Sequence, residues 1–333
     1  MIRIGVIGGG LGTRCIIPKF REIENCQVEA LMSGHYSNAQ HLAKIYGIKY
    51  PCKNLDEMCS IPLDLICIAS PPQFHYEQAI KIASHNINIL CEKPFALTIP
   101  ETNRLIDHFY NSKSKCFIDL ELRFNPYFQY IKHHISEIGE IYNIKMHFES
   151  DLYLNKSIKN SWQFNEEEGG GIRLSIMPHF LDLLLYWIEA NCISIRAHTI
   201  SPVSKTITSE FCQVQMLFEN NLLVELSASA IVPGPKTLIV ELLGENGKFY
   251  FNTTNGLLFN NKIVDITLPQ FYKNSESIFR SSFGCYARQL VSILETKEVI
   301  PESFTSLDDI KKIHQFLADI EKSAFYKTDI KYL

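Results

Sequence analysis

Two short stretches near the N-terminus carry residue types suited to chemistry. In the first, the apolar run 87–91 ends in Glu92-Lys93-Pro94, which sets a carboxylate and an amine ahead of a proline. Proline biases the residue before it toward extended backbone, so Lys93 should leave a strand tip without entering a helix. A lysine that is desolvated and near other cations sheds its proton more readily and can serve in acid–base work. Most lysines lie in solvated loops and have no such role, and these residues taken alone favour that reading.

The second stretch is Gly8-Gly9-Gly10-Leu11-Gly12-Thr13, between the apolar run 2–7 and a helical pattern over 14–23. Glycines after a first strand let the backbone turn tightly and approach a pyrophosphate, which then sits on the amides of the helix N-terminus. Gly8, Gly10, Leu11, Gly12, Thr13 and Arg14 are therefore candidates for binding a dinucleotide. The spacing is G-x-G-x-G, and Thr13 stands where G-x-G-x-x-G would put its last glycine. Helix–strand packing there is expected to be looser, or shifted by one residue.

An Asp or Glu at the end of the second strand would accept hydrogen bonds from an adenosine ribose and favour NAD. This chain has Met32-Ser33-Gly34-His35 instead. With no carboxylate to repel a 2′-phosphate, and with Ser33, Gly34, His35 and Arg14 nearby, NADP is expected in preference to NAD. An ordinary polar loop is the other reading.

The elements that must hold these residues follow from apolar rhythm. Residues 2–7, 28–32, 63–69, 87–91 and 116–120 read as strands. Between them, 38–46, 74–84 and 100–111 have helical length and pattern. Strands that are apolar on both faces and alternate with helices signal a parallel, doubly wound α/β sheet, whose ligands bind at the strands' carboxyl ends. From about residue 121 the rhythm changes. Residues 125–135 and 172–188 look helical, while 141–149, 211–219, 222–231, 237–243, 248–252 and 263–268 alternate with period two. Turn-like Glu219-Asn220-Asn221 and Glu245-Asn246-Gly247 join neighbours, which points to an antiparallel sheet. Helical patterns at 282–295 and 307–323 close the chain. The expected domains are 1–120, binding the dinucleotide, and 121–333, an α+β domain binding substrate.

Composition narrows the function classes. The 333 residues are 46% hydrophobic and 20% charged, with a formal net charge of −4. Lys and Glu are mixed without a basic stripe, which argues against nucleic acid as a partner. No apolar run approaches the ~20 residues that span a bilayer. A strand pattern begins at once with no signal peptide ahead of it, so a cytoplasmic protein is expected. The ten cysteines include no C-x-x-C pair and mostly sit among apolar neighbours, as small reduced hydrophobes do. Cys52 and Cys59 lack partners at ligand spacing, so no metal site is expected.

Taken in order, these motifs resemble the Gfo/Idh/MocA family of oxidoreductases. The resemblance rests on Glu92-Lys93-Pro94 after its strand and on Ser70-Pro71-Pro72-Gln73-Phe74-His75 after the preceding one. It continues through Arg123-Phe124-Asn125-Pro126 and Gly139-Glu140-Ile141 to Gly169-Gly170-Gly171, with His179 and Asp182 downstream, and so spans nearly the whole chain. It implies a Rossmann-type domain followed by a large, mostly antiparallel open sheet. It further implies hydride transfer between a nicotinamide and a carbinol or carbonyl carbon of a sugar, nucleotide sugar or cyclitol. By resemblance Lys93 lies near the nicotinamide and the substrate hydroxyl, Ser70, Pro71, His75 and Glu92 line the cofactor, and His179 is the acid–base partner. Homodimers or homotetramers are implied as well.

The family pattern often has an Asp one turn before this histidine, on the same helix face; here the residue is Ser175. Pro178 also removes an amide donor just before His179, so a helix either kinks or starts there. Asp182 lies one turn further on. Arg123, Tyr153, Trp162, Ser175 and Asp182 are the candidates for shaping a substrate pocket, with the stretch 151–162 as a whole. A non-catalytic NAD(P)-binding sensor of the same fold is the rival reading, motivated by Ser175.

Overall fold

The computed structural model describes residues 1–155, 161–202, 208–272 and 277–332. The chain forms two compact units: Met1–Phe124 with Phe271–Lys311, and Asn125–Gln270 with Lys312–Leu333.

The first unit is built on six strands: β1 (Ile2–Ile7), β2 (Cys26–Met32), β3 (Tyr50–Cys52), β4 (Leu65–Ile68), β5 (Asn88–Cys91) and β6 (Cys116–Ile118). They lie in the order β3-β2-β1-β4-β5-β6 with every pair parallel. The chain winds one way from β1 through β2 to β3, then returns to place β4 on the other side of β1. That reversal is the switch point at which doubly wound sheets bind ligands. Ile4, Val6, Ile66, Cys67, Ile89 and Leu90 are buried, as parallel strands covered on both faces must be. The crossovers carry α1 (Ile17–Arg21), α2 (Tyr36–Tyr46), α3 (Leu55–Cys59), α4 (His75–Ser84) and α5 (Ile99–Tyr110). Local chemistry sets their ends. Asn54 caps α3, Thr98 and Glu101 form a reciprocal capping box on α5, and Gly47 closes α2 at φ 58°.

Residues 271–311 return to this unit because of one aromatic seam. On the helix Ile278–Thr296, Phe283 meets Phe20 edge-on at 5.9 Å and Tyr286 meets Phe124 at 4.7 Å. Tyr286 also donates its hydroxyl hydrogen to the Ile118 carbonyl oxygen at 3.0 Å. Edge-to-face ring pairs add to the apolar area they bury, so this late segment completes the core of the N-terminal sheet.

The second unit holds α6 (Pro126–His134), α7 (Ile172–Trp187) and nine strands: β7 (Ile141–Glu149), β8 (Cys192–Ile200), β9 (Phe211–Phe218), β10 (Leu223–Ser229), β11 (Thr237–Gly244), β12 (Gly247–Asn252), β13 (Gly256–Phe259), β14 (Lys262–Ile263) and β15 (Ile330–Lys331). Their order is β14-β13-β12-β11-β7-β10-β9-β8-β15, antiparallel except for the pair β7–β10. Alternation makes one apolar face: Ile144, Met146, Val214, Met216, Val224, Leu226, Val240 and Leu242 are all buried. Helix α7 packs against β9 and β10. The other face carries a ladder in which Lys145 meets Glu225 at 3.2 Å and Lys248 meets Glu241 at 3.5 Å. The turn between β9 and β10 is made by Asn220 at φ 59° and Asn221 at φ 58°, the left-handed pair that a tight hairpin needs.

One expected strand is corrected. Residues 263–268 form no strand beyond Ile263, and the partner of β12 is instead β13. Asn260 and Asn261, both at positive φ, turn the chain just before it. Ile263 is 78% exposed, so the alternating run that follows has no apolar face to bury. No helix among the described residues is long and apolar enough to cross a membrane.

Candidate active site

The glycine turn leaves the end of β1, where Gly8 N–H donates to Met32 O at 2.9 Å. Gly8 sits at φ 125°, and a Cβ there would overlap the carbonyl oxygen of Ala69; no L side chain fits. A Cβ on Gly12 would lie 2.8 Å from Val6 Cγ1, so Gly12 makes the close approach of helix to strand. Gly10 differs, with its nearest neighbour, an Arg14 guanidinium nitrogen, 3.9 Å from a Cβ position. The turn is thus tight against the sheet at Gly8 and Gly12 and open at Gly10, which fits a pyrophosphate approaching the backbone. Helical structure starts as a π turn over Gly12–Ile16, in which Ile17 N–H reaches back five residues to Gly12 O. Pro18 follows with no N–H to give. The close approach of helix to strand is thus shifted by one residue, from Thr13 to Gly12. Thr13 is buried, and its hydroxyl donates to Gly9 O at 2.8 Å.

At the end of β2, Ser33 Oγ accepts from Asn38 Nδ2 at 2.8 Å, and exposed His35 stands at the N-cap of α2. Gly34 has nothing within 4 Å of the place a Cβ would occupy.

Lys93 follows β5, whose neighbour in the sheet is β4. Glu92 N–H donates to Ile68 O at 2.9 Å, extending the ladder past the end of β5. The Lys93–Pro94 peptide is cis. His75, at the start of α4, joins the ends of β4 and β5. Its Nδ1 lies 2.8 Å from Pro94 O, and its Nε2 lies 3.0 Å from Ser70 O. Burial pushes the His75 pKa down, so the ring is neutral and can donate to one of these carbonyls at a time. Ser70 Oγ donates to Gln78 Oε1 at 2.7 Å, while Pro71 begins the turn into α4. Ser70, Pro71, His75, Glu92 and Lys93 are therefore brought together.

Sequence reasoning missed what lies beside them. Asp119 N–H donates to Cys91 O at 2.8 Å, which carries the end of β6 alongside Glu92. The Asp119 carboxyl interacts electrostatically with those of Glu92 and Glu121. Asp119 and Glu121 are 5% and 6% exposed. Burial first, and then mutual repulsion, raises the carboxyl pKa values: Asp119 well above the ordinary value and Glu121 to about 8, with Glu92 raised by its burial. Lys93 acts electrostatically on both glutamates and favours their charged forms. The signal lay in the sequence, because Asp119 and Glu121 interrupt an otherwise apolar run over 116–122. Arg123 follows on the same short turn, buried, its guanidinium 3.2 Å from Asp309 Oδ2.

The remaining candidates belong to the second unit. Helix α7 starts after Gly171 and runs straight through Pro178, so the helix does not begin at the proline. His179 and Asp182 are both buried, at 3% and 0% exposure. Ser175 Oγ donates to Gly171 O at 2.5 Å. Tyr153 is buried, and its hydroxyl donates to Gln163 O at 2.9 Å while accepting from Gly171 N–H at 3.0 Å. Ser175 and Tyr153 thus both brace the entry to α7. Trp162 is half-buried on a short 3-10 turn. Within the stretch 151–162, residues 156–160 lie outside the described residues.

Comparison with known proteins identifies the family and the fold. Residues 2–120 match the oxidoreductase family with the NAD-binding Rossmann fold, and residues 128–250 match the GFO/IDH/MocA C-terminal domain. The chain belongs to the Gfo/Idh/MocA family of NAD(P)-dependent oxidoreductases. Over 290 residues it is 26% identical to glucose-6-phosphate 3-dehydrogenase of Bacillus subtilis, covering 82% of each chain. Over 288 residues it is 21% identical to the scyllo-inositol 2-dehydrogenase (NADP(+)) of the same organism, covering 84% of this chain and 88% of that one. Among solved structures, levoglucosan dehydrogenase in complex with NADH and levoglucosan superposes with a TM-score of 0.85 at 17% identity, over 99% of both chains.

Proposed function

We propose that this chain moves a hydride between C4 of a nicotinamide and a carbinol or carbonyl carbon of a sugar, nucleotide sugar or cyclitol. One observation carries the reading. The glycine turn after β1 and Lys93 after β5 leave the same edge of one parallel sheet, with β4 between them. Gly8, Gly10 and Gly12 would admit the pyrophosphate, and Ser70, Pro71 and His75 would flank the nicotinamide end. The dinucleotide, when bound, supplies the hydride acceptor or donor. Lys93 takes the hydroxyl proton during oxidation and returns it during reduction. The second proton-handling group is His179, with Arg123, Tyr153, Trp162, Ser175 and Asp182 shaping the substrate's surroundings.

NADP is the preferred cofactor in this reading, because no carboxylate stands at Ser33-Gly34-His35 to repel a 2′-phosphate. The scyllo-inositol dehydrogenase relative is named for NADP(+), and the levoglucosan dehydrogenase structure holds NADH. The open face of the nine-stranded sheet, with its alternating Lys145, Glu225, Glu241 and Lys248, is the surface we assign to a homodimer or homotetramer. Fluorescence titration with NADPH and NADH, followed by nicotinamide absorbance over a panel of sugars and cyclitols, tests the proposal. Binding with turnover supports it. Absence of binding by either nucleotide overturns it, and binding without turnover favours the sensor.

A further inference from the structure

We propose that Asn38 sets the cofactor preference of this chain, as a positioning residue that holds the Ser33 hydroxyl ready to donate to the adenosine 2′-phosphate of NADP. This rests on the dinucleotide-binding role proposed for the glycine turn, and it involves neither Lys93 nor hydride transfer. Asn38 lies in the first turn of α2, behind His35 at the N-cap. Its Nδ2 donates to Ser33 Oγ at 2.8 Å. A serine hydroxyl has one hydrogen to give and two lone pairs that accept. One lone pair is taken by the amide, and no described residue accepts the hydroxyl hydrogen. Ser33 is therefore held as a donor. The pair rests directly on the glycine turn, because a Cβ on Gly9 would lie 2.7 Å from Asn38 Nδ2 and 2.9 Å from Ser33 Oγ. Gly9 thus leaves the space that the pair fills.

The neighbouring strand brings a cation to the same edge. Met32 and Cys52 are register partners in β2 and β3, so Ser33 and Lys53 leave the sheet side by side. The Lys53 ammonium stands over the ring of Tyr36, the first residue of α2, at 5.4 Å. Glu57, the acid in that turn, accepts from the Lys53 backbone N–H at 2.7 Å. No carboxylate occurs anywhere from Ala30 to Gln40. An ionised phosphate offers acceptors and negative charge, so it suits a fixed hydroxyl donor beside an ammonium. A 2′-hydroxyl brings a hydrogen of its own, and the Ser33 lone pairs are already engaged on the Asn38 side. The direction of the Asn38–Ser33 bond therefore separates the two nucleotides.

Calorimetric titration with adenosine 2′,5′-bisphosphate and with AMP tests this, since the two probes differ only in the 2′-phosphate. Wild type should bind the bisphosphate at least about tenfold more tightly than AMP, the worth of a hydrogen bond to a charged group. Asn38→Ala should cut that ratio by about threefold to tenfold while AMP affinity stays within about twofold. Ser33→Ala should do the same, and the double variant should lose no more than either single one, because Asn38 works through Ser33. A wild type that does not prefer the bisphosphate overturns the proposal. So does an Asn38→Ala variant whose ratio is unchanged, or one that loses both probes equally, as a merely structural residue would. Additive losses in the double variant overturn the route through Ser33. Asn38→Asp is the second variant, and it decides the question if Asn38→Ala does not fold. Its carboxylate keeps the size of the side chain but accepts the Ser33 hydrogen, so the preference should pass to AMP; a ratio at the wild-type value contradicts the proposal. Both probes lack a nicotinamide. A protein that binds them as expected yet turns over no substrate keeps this inference and loses the oxidoreductase reading, and one that turns over substrate without the expected ratios does the reverse.

Discussion

His75 Nδ1 lies 2.8 Å from the carbonyl oxygen of Pro94, so a helix that starts after β4 holds the turn that carries Lys93 after β5. The other ring nitrogen reaches Ser70 O at 3.0 Å. One buried imidazole thus ties together the two turns expected to flank the nicotinamide.

Replacing His75 by Ala should therefore do two things. It strands buried carbonyls and opens a cavity, at a cost of about 2–4 kcal/mol in unfolding free energy. It should also lower kcat more than cofactor affinity, because the Lys93 turn loses its anchor. Urea unfolding and steady-state kinetics check both, and a variant with unchanged stability contradicts the buried bridge.

The glycines separate into two kinds. Gly12→Ala places a methyl against Val6 and should destabilise the protein by about 1–3 kcal/mol. Gly10→Ala has room for its methyl and should fold normally, yet it should weaken NADPH binding at least about tenfold by blocking close approach of the pyrophosphate. Thermal melts with and without nucleotide distinguish them. Equal nucleotide affinity in Gly10→Ala and wild type would remove Gly10 from the binding turn.

The carboxyl trio of Glu92, Asp119 and Glu121 makes stability depend on pH in a definite direction. A carboxyl whose folded pKa is raised binds more protons folded than unfolded, so its contribution is complete below the unfolded value and is lost as pH rises through the folded one. With Glu121 at about 8 against an ordinary value of 4.5, that loss runs through neutrality into mildly alkaline solution. Its slope is at most about 1.4 kcal/mol per pH unit for each proton. His314, lowered to about 4 by burial, acts oppositely but only as pH falls below its ordinary value of 6.5. Above neutrality the trio therefore governs, and Tm should fall as pH rises toward Glu121's titration. A Tm that climbs over the same interval contradicts the raised carboxyls.

Much of this was legible in the sequence for identifiable reasons. The strands of the first unit are apolar on both faces, so 2–7 and 87–91 stand out within a residue or so, and the glycines mark the first turn. Helix α7 was legible as a mostly apolar segment of helix length despite Pro178. Spacing could not show that Phe283 and Tyr286, far along the chain, complete the N-terminal core, because aromatic residues announce burial but not a partner. Short β3 and α3, with three and five residues, are below the length at which periodicity speaks. The strand expected at 263–268 failed because alternation alone does not supply a neighbour. Asp119 and Glu121 were visible as charges in an apolar run, but their meeting with Glu92 depends on the β5–β6 register.

Lys93→Ala is the most direct measurement on the central claim. Removing the amine should nearly abolish nicotinamide turnover, a loss of at least about 10²-fold for a general acid–base group, while NADPH affinity stays within a few-fold and the fold is retained. A Lys93→Ala variant that turns over substrate as fast as the wild type would contradict the account.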